Sequence, residues 1–203
     1  MNIDINRAVQ AVRQGGIIIY PTETFFALGG AGLDPEVARR VREIKARPVE
    51  KPLPLIAGSI SQCLQFVEMD GFSLKAAGQF WPGSLSILAR AGKMIPYGVK
   101  DQEGMVSIRV TPHQEAAKLC LLSGTPLIAT SANFSGKPAC AGYHDLDRKL
   151  VSIVGQVLDS QEMPAGGLPS TLVRVVGNGK FRIIREGRVT QAEIVQKGWE
   201  IKL

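Results

Sequence analysis

Helix-like and strand-like hydrophobic periods alternate along the whole chain, and that alternation limits the fold more than any single residue does. Residues 4 to 14 set Ile5, Ala8, Val9 and Val12 at helical spacing, and Gly15 and Gly16 stop the pattern. "IIIY" then reads as a buried strand ending at Pro21. "DPEVARRVREIKA" predicts a helix capped by Asp34, with Pro35 in its first turn and Val37, Val41 and Ile44 inward. Its other face, Arg39, Arg40, Arg42 and Glu43, reads as solvated. Further helices are expected over 59 to 69 and 73 to 80. Strands are expected at "LPLIAGS", after "FWPG", and at "MVSIRVT". "HQEAAKLCLLSG" predicts a helix ending at Gly124, and "PLIATSANFSG" a strand running into a polar loop. Residues 137 to 148 read as irregular. "VSIVGQVLD" and "STLVRVV" predict strands, and Asn178-Gly179 before "KFRIIREG" predicts a hairpin. "TQAEIVQKG" predicts a closing helix with a Thr190 to Glu193 capping box. Interspersed helices and strands give an α/β class with a mixed sheet. No repeat or linker divides the chain, so residues 1 to 203 are expected to form a single domain.

Composition narrows the chemistry. A net charge of +6 favours anionic partners such as nucleotides, RNA or acidic lipid, although a mildly basic surface without a partner is equally consistent. Cys63, Cys120 and Cys140 lie far apart with no CxxC, and no leader or membrane-length apolar run is evident. Reduced thiols, a cytoplasmic location and no membrane are the expectation. His113 and His144 are the two histidines, which argues against a His/Cys metal cluster and leaves few routes to a Ser-His-Asp triad.

Four stretches carry candidate chemistry. In "EIKARPVEKPL", Lys45, Arg47 and Lys51 cluster where a helix ends, and Pro48 forces extended backbone at Arg47. Dipole compensation at a solvent-facing helix end explains Lys45 well and the stiffened Arg47 less well. The functional alternative is a polyphosphate clamp, with Arg giving bidentate contacts and Lys point charges; many helix ends look the same. In "YPTETFFALGG", Thr22, Glu23 and Thr24 follow a buried strand, where α/β sheets bind ligands; a turn with threonines bonded to backbone is the plain alternative. Its glycines match neither a Walker loop nor a dinucleotide fingerprint. In "MVSIRV", alternation sets Ser107 and Arg109 opposite Val106, Ile108 and Val110. Arg109 could grip a carboxylate or make a surface ion pair. In "TSANFSG", Ser131, Asn133 and Ser135 are spaced by two, so an extended loop would present all three to a ribose, an amino acid or a phosphate; a capped turn is the alternative.

Taken together and in order, "YPTET…LGG", "KARPVEKPL", "FWPGSL", "SIRVTPH" and "TSANFSG" resemble the motifs of the YrdC-like threonylcarbamoyl-adenylate synthases over roughly residues 7 to 190. The chain is similar to the short members. The resemblance implies a strongly twisted mixed sheet flanked by helices, with a basic concave cavity. It implies that L-threonine, bicarbonate and ATP give threonylcarbamoyl-adenylate and pyrophosphate, for threonylcarbamoyladenosine in tRNA. Mg²⁺ would bridge the ATP phosphates, and separate threonylcarbamoyl transferase proteins would take the product. Direct binding of tRNA or double-stranded RNA is a further possible partnership. Residue by residue, Lys45 and Arg47 match the family's phosphate-binding pair, and Lys51 lies nearby. Thr22 and Arg109 match threonine-binding positions, with Arg109 on the carboxylate. Ser131, Asn133 and Ser135 match the adenylate and threonine pocket. Ser170, in "GGLPSTLV", matches a serine near the threonine, and Arg185, in "IIREG", an arginine on the nucleotide.

The chain departs from the family pattern in places. Glu186 replaces a proline, Ala27 a glycine, and Met105 a hydroxyl residue; Ile56 falls where long members carry a histidine; "KPACAG" follows "TSANFSG". Met105 and "KPACAG" bear on ATP contacts, and Ile56 on threonine contacts. Two rivals follow: a non-catalytic RNA-binding module of the same fold, and a relative using another amino acid or carbamoyl donor.

Overall fold

The computed structural model describes residues 2–48, 50–177 and 179–202. The chain opens with β1 (Asn2–Ile3), α1 (Ile5–Arg13), β2 (Ile18–Pro21), β3 (Phe26–Gly29) and α2 (Pro35–Lys45). It continues through β4 (Leu55–Ala57), α3 (Ile60–Cys63), β5 (Val67–Glu68), α4 (Gly71–Phe80), β6 (Leu85–Ala91) and β7 (Met105–Val110). Then come α5 (Gln114–Ser123), β8 (Leu127–Ile128), β9 (Thr130–Ser131), a 3₁₀ turn at Tyr143–Asp145, α6 (Arg148–Val154) and β10 (Val157–Leu158). The last elements are β11 (Thr171–Val175), β12 (Lys180–Arg185), α7 (Gln191–Gln196) and β13 (Glu200–Ile201).

The expected mixed α/β architecture forms, but the strands divide into two mixed sheets. One has five strands in the order β1-β10-β2-β3-β9. The other has eight, in the order β13-β12-β11-β6-β7-β4-β8 with β5 paired to β6. Each combines parallel and antiparallel pairs: β10 with β2 and β4 with β7 are parallel, β2 with β3 and β6 with β7 antiparallel. The sheets meet where β3 crosses β8. A Cβ at Gly29 would lie 1.7 Å from the Ile128 carbonyl oxygen, so this approach requires glycine. The Ile128 amide completes the junction by donating to Gly30 O at 3.0 Å.

Local signals set most element ends. The Asp34 carboxylate accepts from the amides of Glu36 and Val37, and Pro35 occupies the first turn of α2. Asp4 caps α1 through the Arg7 amide, and the Thr190–Glu193 capping box forms on α7. Val37 and Val41 are fully buried against the main core, which Phe26, Leu55, Ile87, Ile108 and Phe181 share. The fully buried large side chains number in this core and a second one between α1, α5 and β2, so burial supplies most of the drive to this topology.

Three expectations fail. The helix expected over 59 to 69 stops after one turn, and the chain turns into β5. The strand expected at "VSIVGQVLD" is the end of α6, closed by Gly155 at φ 77, followed by β10. Apolar runs this short fit either period, and Gly155 in the left-handed region decides for a helix end. Arg42 is not solvated: it is 8% exposed and its guanidinium donates to the carbonyls of Pro48, Lys51 and Gly98. The hairpin forms, with β11 antiparallel to β12; Asn178 of its expected turn lies outside the described residues.

Candidate active site

A cavity of about 300 Å³ opens between the two sheets, lined among others by Thr22, Arg47, Arg109, Ser131, Ser170 and Arg185. These residues come from sequence positions more than 160 apart and from both sheets. β2 ends at Pro21, and the chain bends immediately. Thr22 Oγ1 donates to Phe25 O at 2.7 Å, the hydroxyl-to-backbone turn that the sequence offered as the plain reading. Thr22 is 2% exposed and still lines the cavity.

Glu23 enters from the same bend. Its Oε1 accepts from Arg109 Nε at 2.7 Å and its Oε2 from Thr111 Oγ1 at 2.8 Å. Arg109 is held in place by pairing of β7 with β4, where it faces Ile56. The ion pair is internal, with side-chain exposures of 5% for Arg109 and 10% for Glu23. It is therefore not the surface pair considered from the sequence. Burial, the largest influence on Glu23, pushes its carboxyl up; the Arg109 charge and the Thr111 hydroxyl outweigh it, and the net shift is downward. Glu23 stays ionised at neutral pH.

α2 ends in a sharp turn, because Ala46 adopts φ 45. That turn separates Lys45 from Arg47. Lys45 is not at a solvent-facing helix end, as expected from sequence, but is 6% exposed. Its ammonium donates to Ser131 O and Asn133 Oδ1, both at 2.7 Å, and to Asn133 O. Burial, followed by the Arg47 charge, pushes the Lys45 ammonium down to about 8. Arg47 lines the cavity, while its Nε and Nη2 donate to Lys51 O at 3.2 Å and Pro52 O at 2.9 Å. Burial lowers its pKa first, then the charges of Arg42 and Arg185. The Lys51 side chain is exposed on this same loop, outside the cavity lining.

Ser131 and Asn133 are brought together, with Ser131 Oγ donating to Asn133 Oδ1 at 2.6 Å. Ser135 sits two residues on in an exposed turn, so the extended loop that would present all three alike does not form. On the opposite wall, Arg185 Nη2 donates to Ser170 O at 2.7 Å and to Ser170 Oγ at 3.1 Å. Ser170 Oγ is in turn 3.0 Å from Ser86 Oγ. Burial lowers the Arg185 pKa, and the Arg109 charge lowers it further.

The departures sort by position. Ala27 lines the cavity. Ile56 is fully buried in the second core, and Met105 lines a different surface hollow with Arg90 and Arg174. Glu186 accepts from Gln191 Nε2 at 2.6 Å, away from Arg185's partners. Sequence reasoning named Glu23 without giving it a partner, read Arg42 as solvated, and gave no role to Thr111 or Ser86. The available signal for Glu23 was an acid set between two threonines at a buried strand end, in a chain with an arginine at the centre of another strand.

The chain matches the Sua5_yciO_yrdC family, described as "Telomere recombination", over residues 10–187. It is 34% identical over 149 residues to the threonylcarbamoyl-AMP synthase of Cellvibrio japonicus, covering 73% of this chain and 79% of that protein. The structure of P. abyssi Sua5 complexed with L-threonine superimposes with a TM-score of 0.88 at 26% identity, covering all of this chain and 62% of that one. E. coli YciO, at 22% identity and TM-score 0.78 over 94% of this chain and 98% of that one, shares the fold.

Proposed function

This chain belongs to the Sua5/YciO/YrdC family, and on that premise we propose that it is a threonylcarbamoyl-AMP synthase, joining L-threonine, bicarbonate and ATP into threonylcarbamoyl-adenylate with release of pyrophosphate. One observation carries the reading: three guanidinium groups, Arg47, Arg109 and Arg185, border one cavity together with the hydroxyls of Thr22, Ser131 and Ser170. Such a lining suits the carboxylate of an amino acid and the phosphates of a nucleotide.

The threonine amine takes up bicarbonate with loss of water to give a carbamate. A carbamate oxygen attacks the α-phosphorus, the bond to the bridging oxygen breaks, and pyrophosphate leaves. No protein nucleophile is needed. Such a transfer is accelerated by positioning and by stabilising charge, which clustered cations provide. In this assignment Arg109 takes the threonine carboxylate, with Thr22 and Ser170 beside it. Arg47 and Arg185 neutralise phosphate charge, and Lys51 adds to the field from the same loop. Lys45 holds Ser131 and Asn133 against the adenylate, and Ser135 closes that loop. Mg²⁺ would enter with ATP and supply further charge neutralisation at its phosphates. Among the described residues no group of three His, Cys, Asp or Glu side chains could hold a metal, and the Glu23 carboxylate is committed to Arg109 and Thr111. The donor set does not fit a protein-held ion. The product would serve tRNA modification through separate transferase proteins.

The test is pyrophosphate release from Mg·ATP with and without L-threonine and bicarbonate, alongside other amino acids. Release dependent on threonine and bicarbonate is expected. Release with another amino acid would move the substrate. RNA binding by folded protein with no release at all would favour a non-catalytic module.

A further inference from the structure

The Glu23–Arg109 pair has an unusual geometry for a structural ion pair. A buried arginine held only for stability usually meets its carboxylate through two parallel N–H bonds. Here Glu23 engages Arg109 through Nε alone, at 2.7 Å. Among the described residues the two terminal nitrogens of Arg109 take no hydrogen bond, although the residue is 4% exposed and lines the cavity. Glu23 itself is fixed on every side. Thr111 Oγ1 donates to its second oxygen at 2.8 Å, and Ser84 Oγ lies 3.5 Å from the first. Thr111 is held in turn, accepting from the His113 amide at 3.2 Å. The bend that carries Glu23 is pinned by the Thr22 turn, and the Gly166 amide donates to Thr24 O at 2.8 Å.

We propose that Glu23 is a positioning residue for the amino-acid substrate: by holding the Nε edge of Arg109, it turns the two terminal nitrogens toward the cavity as a preset fork for a carboxylate. The inference rests on the synthase reading above. It deepens that reading by assigning part of the affinity for the amino-acid carboxylate to a residue that does not touch it. Unguided, a buried guanidinium would fold back onto neighbouring carbonyls and lose its open edge. Glu23 also neutralises Arg109, so the site binds its anion through directed hydrogen bonds and not through bulk charge. The free fork matches a planar carboxylate bidentately.

The experiment measures binding of L-threonine and of ATP separately, by calorimetry, to the full chain and to Glu23→Gln, Arg109→Gln and the double variant. Glu23→Gln should raise the threonine Kd about tenfold or more while moving the ATP Kd less than about twofold. In the Arg109→Gln background, Glu23→Gln should add less than about twofold, since the two act as one unit. Thr111→Val, which removes one restraint on Glu23 and keeps the ion pair, should give a smaller shift confined to threonine. It covers the case in which Glu23→Gln does not fold. Equal losses for threonine and ATP, additive effects in the cycle, or no effect of Thr111→Val and Glu23→Gln would overturn the proposal while leaving the synthase reading intact. A wild-type chain that binds no amino acid would overturn both.

Discussion

Lys45 Nζ donates to Asn133 Oδ1 at 2.7 Å across 88 residues of sequence, and the same ammonium donates to the backbone carbonyls of Ser131 and Asn133. All three N–H bonds of the lysine are thus spent on one loop. The cation at the end of α2 holds the "TSANFSG" segment in place before any ligand arrives. Lys45→Met keeps the apolar stem and removes the donors; Ser131 O keeps the Asn133 amide and Asn133 Oδ1 the Ser131 hydroxyl, while Asn133 O loses its donor. Charge-assisted bonds of this kind are worth about 1.5 to 3 kcal/mol each, offset here by the cost of burying the ammonium, so a net loss of about 2 kcal/mol is expected. Urea denaturation checks it. A loss below about 0.5 kcal/mol, the ordinary scatter of surface changes, would mean the loop does not depend on Lys45.

The same lysine gives a pH signature. Its ammonium is pushed down to about 8 in the fold, against the usual lysine value of about 10.4 in an unfolded chain. Below about 8 both states carry the proton, and the fold bears the cost of burying it. Between about 8 and the unfolded value the native state has released the proton and the unfolded chain has not, so stability rises with pH. Wild type should therefore gain stability relative to Lys45→Met as pH climbs from about 8 to 10. Comparing the two proteins cancels the other titrating groups. A difference that stays flat across that window would show that Lys45 keeps an ordinary affinity for its proton.

Why were these relations hard to read in the sequence? Caps are local, so Asp34, Pro35 and the Thr190–Glu193 box announced their helices within four residues. Alternation in "MVSIRV" correctly set Arg109 apart from the valines. The partners of charged groups are not local. Lys45 finds Asn133, Arg109 finds Glu23 86 positions away, and Arg42 finds Gly98. An arginine run on a helix reads as a wet face unless the loop that will cover it is known. The short strand β5 owes its existence to pairing with β6, which no local period records.

Ala46 offers a test of the turn between the two basic residues. It sits at φ 45 and ψ 41, where an L side chain is strained by about 1 kcal/mol and glycine is not. Glycine is also the common residue at this place in a helix end. Ala46→Gly should raise stability by about 0.5 kcal/mol, the relief of strain less the greater freedom of the unfolded chain. A thermal melt that moves down would mean that the left-handed turn is not kept in solution, and with it the separation of Lys45 from Arg47.

Arg42 governs the other side of the same loop. Its Nη1 donates to Pro48 O at 2.6 Å and its Nη2 to Lys51 O at 3.0 Å and to Gly98 O, while its Nε is buried without a partner. Three carbonyls from two separate segments thus converge on one guanidinium. The Arg47 amide also donates to Arg42 O at 3.0 Å, so the backbone of the basic loop starts from this residue as well. Lysine cannot span the three acceptors with the same fork, and methionine fills the space without bonding any. Arg42→Met should cost about 1 to 2 kcal/mol by removing three hydrogen bonds; Pro48 O keeps the Lys51 amide and Lys51 O keeps Arg47 Nε, while Gly98 O loses its donor. Its functional effect should fall on the nucleotide, because Arg47 rides on the loop that Arg42 anchors and Arg109 does not. KM for ATP is expected to rise about tenfold, with KM for threonine within about twofold. Steady-state pyrophosphate release with each substrate varied in turn separates the two. Arg42→Lys should fall between wild type and methionine in both stability and KM for ATP. If KM for threonine rose as much as KM for ATP, the loop would be supporting the whole cavity and not the phosphate end alone.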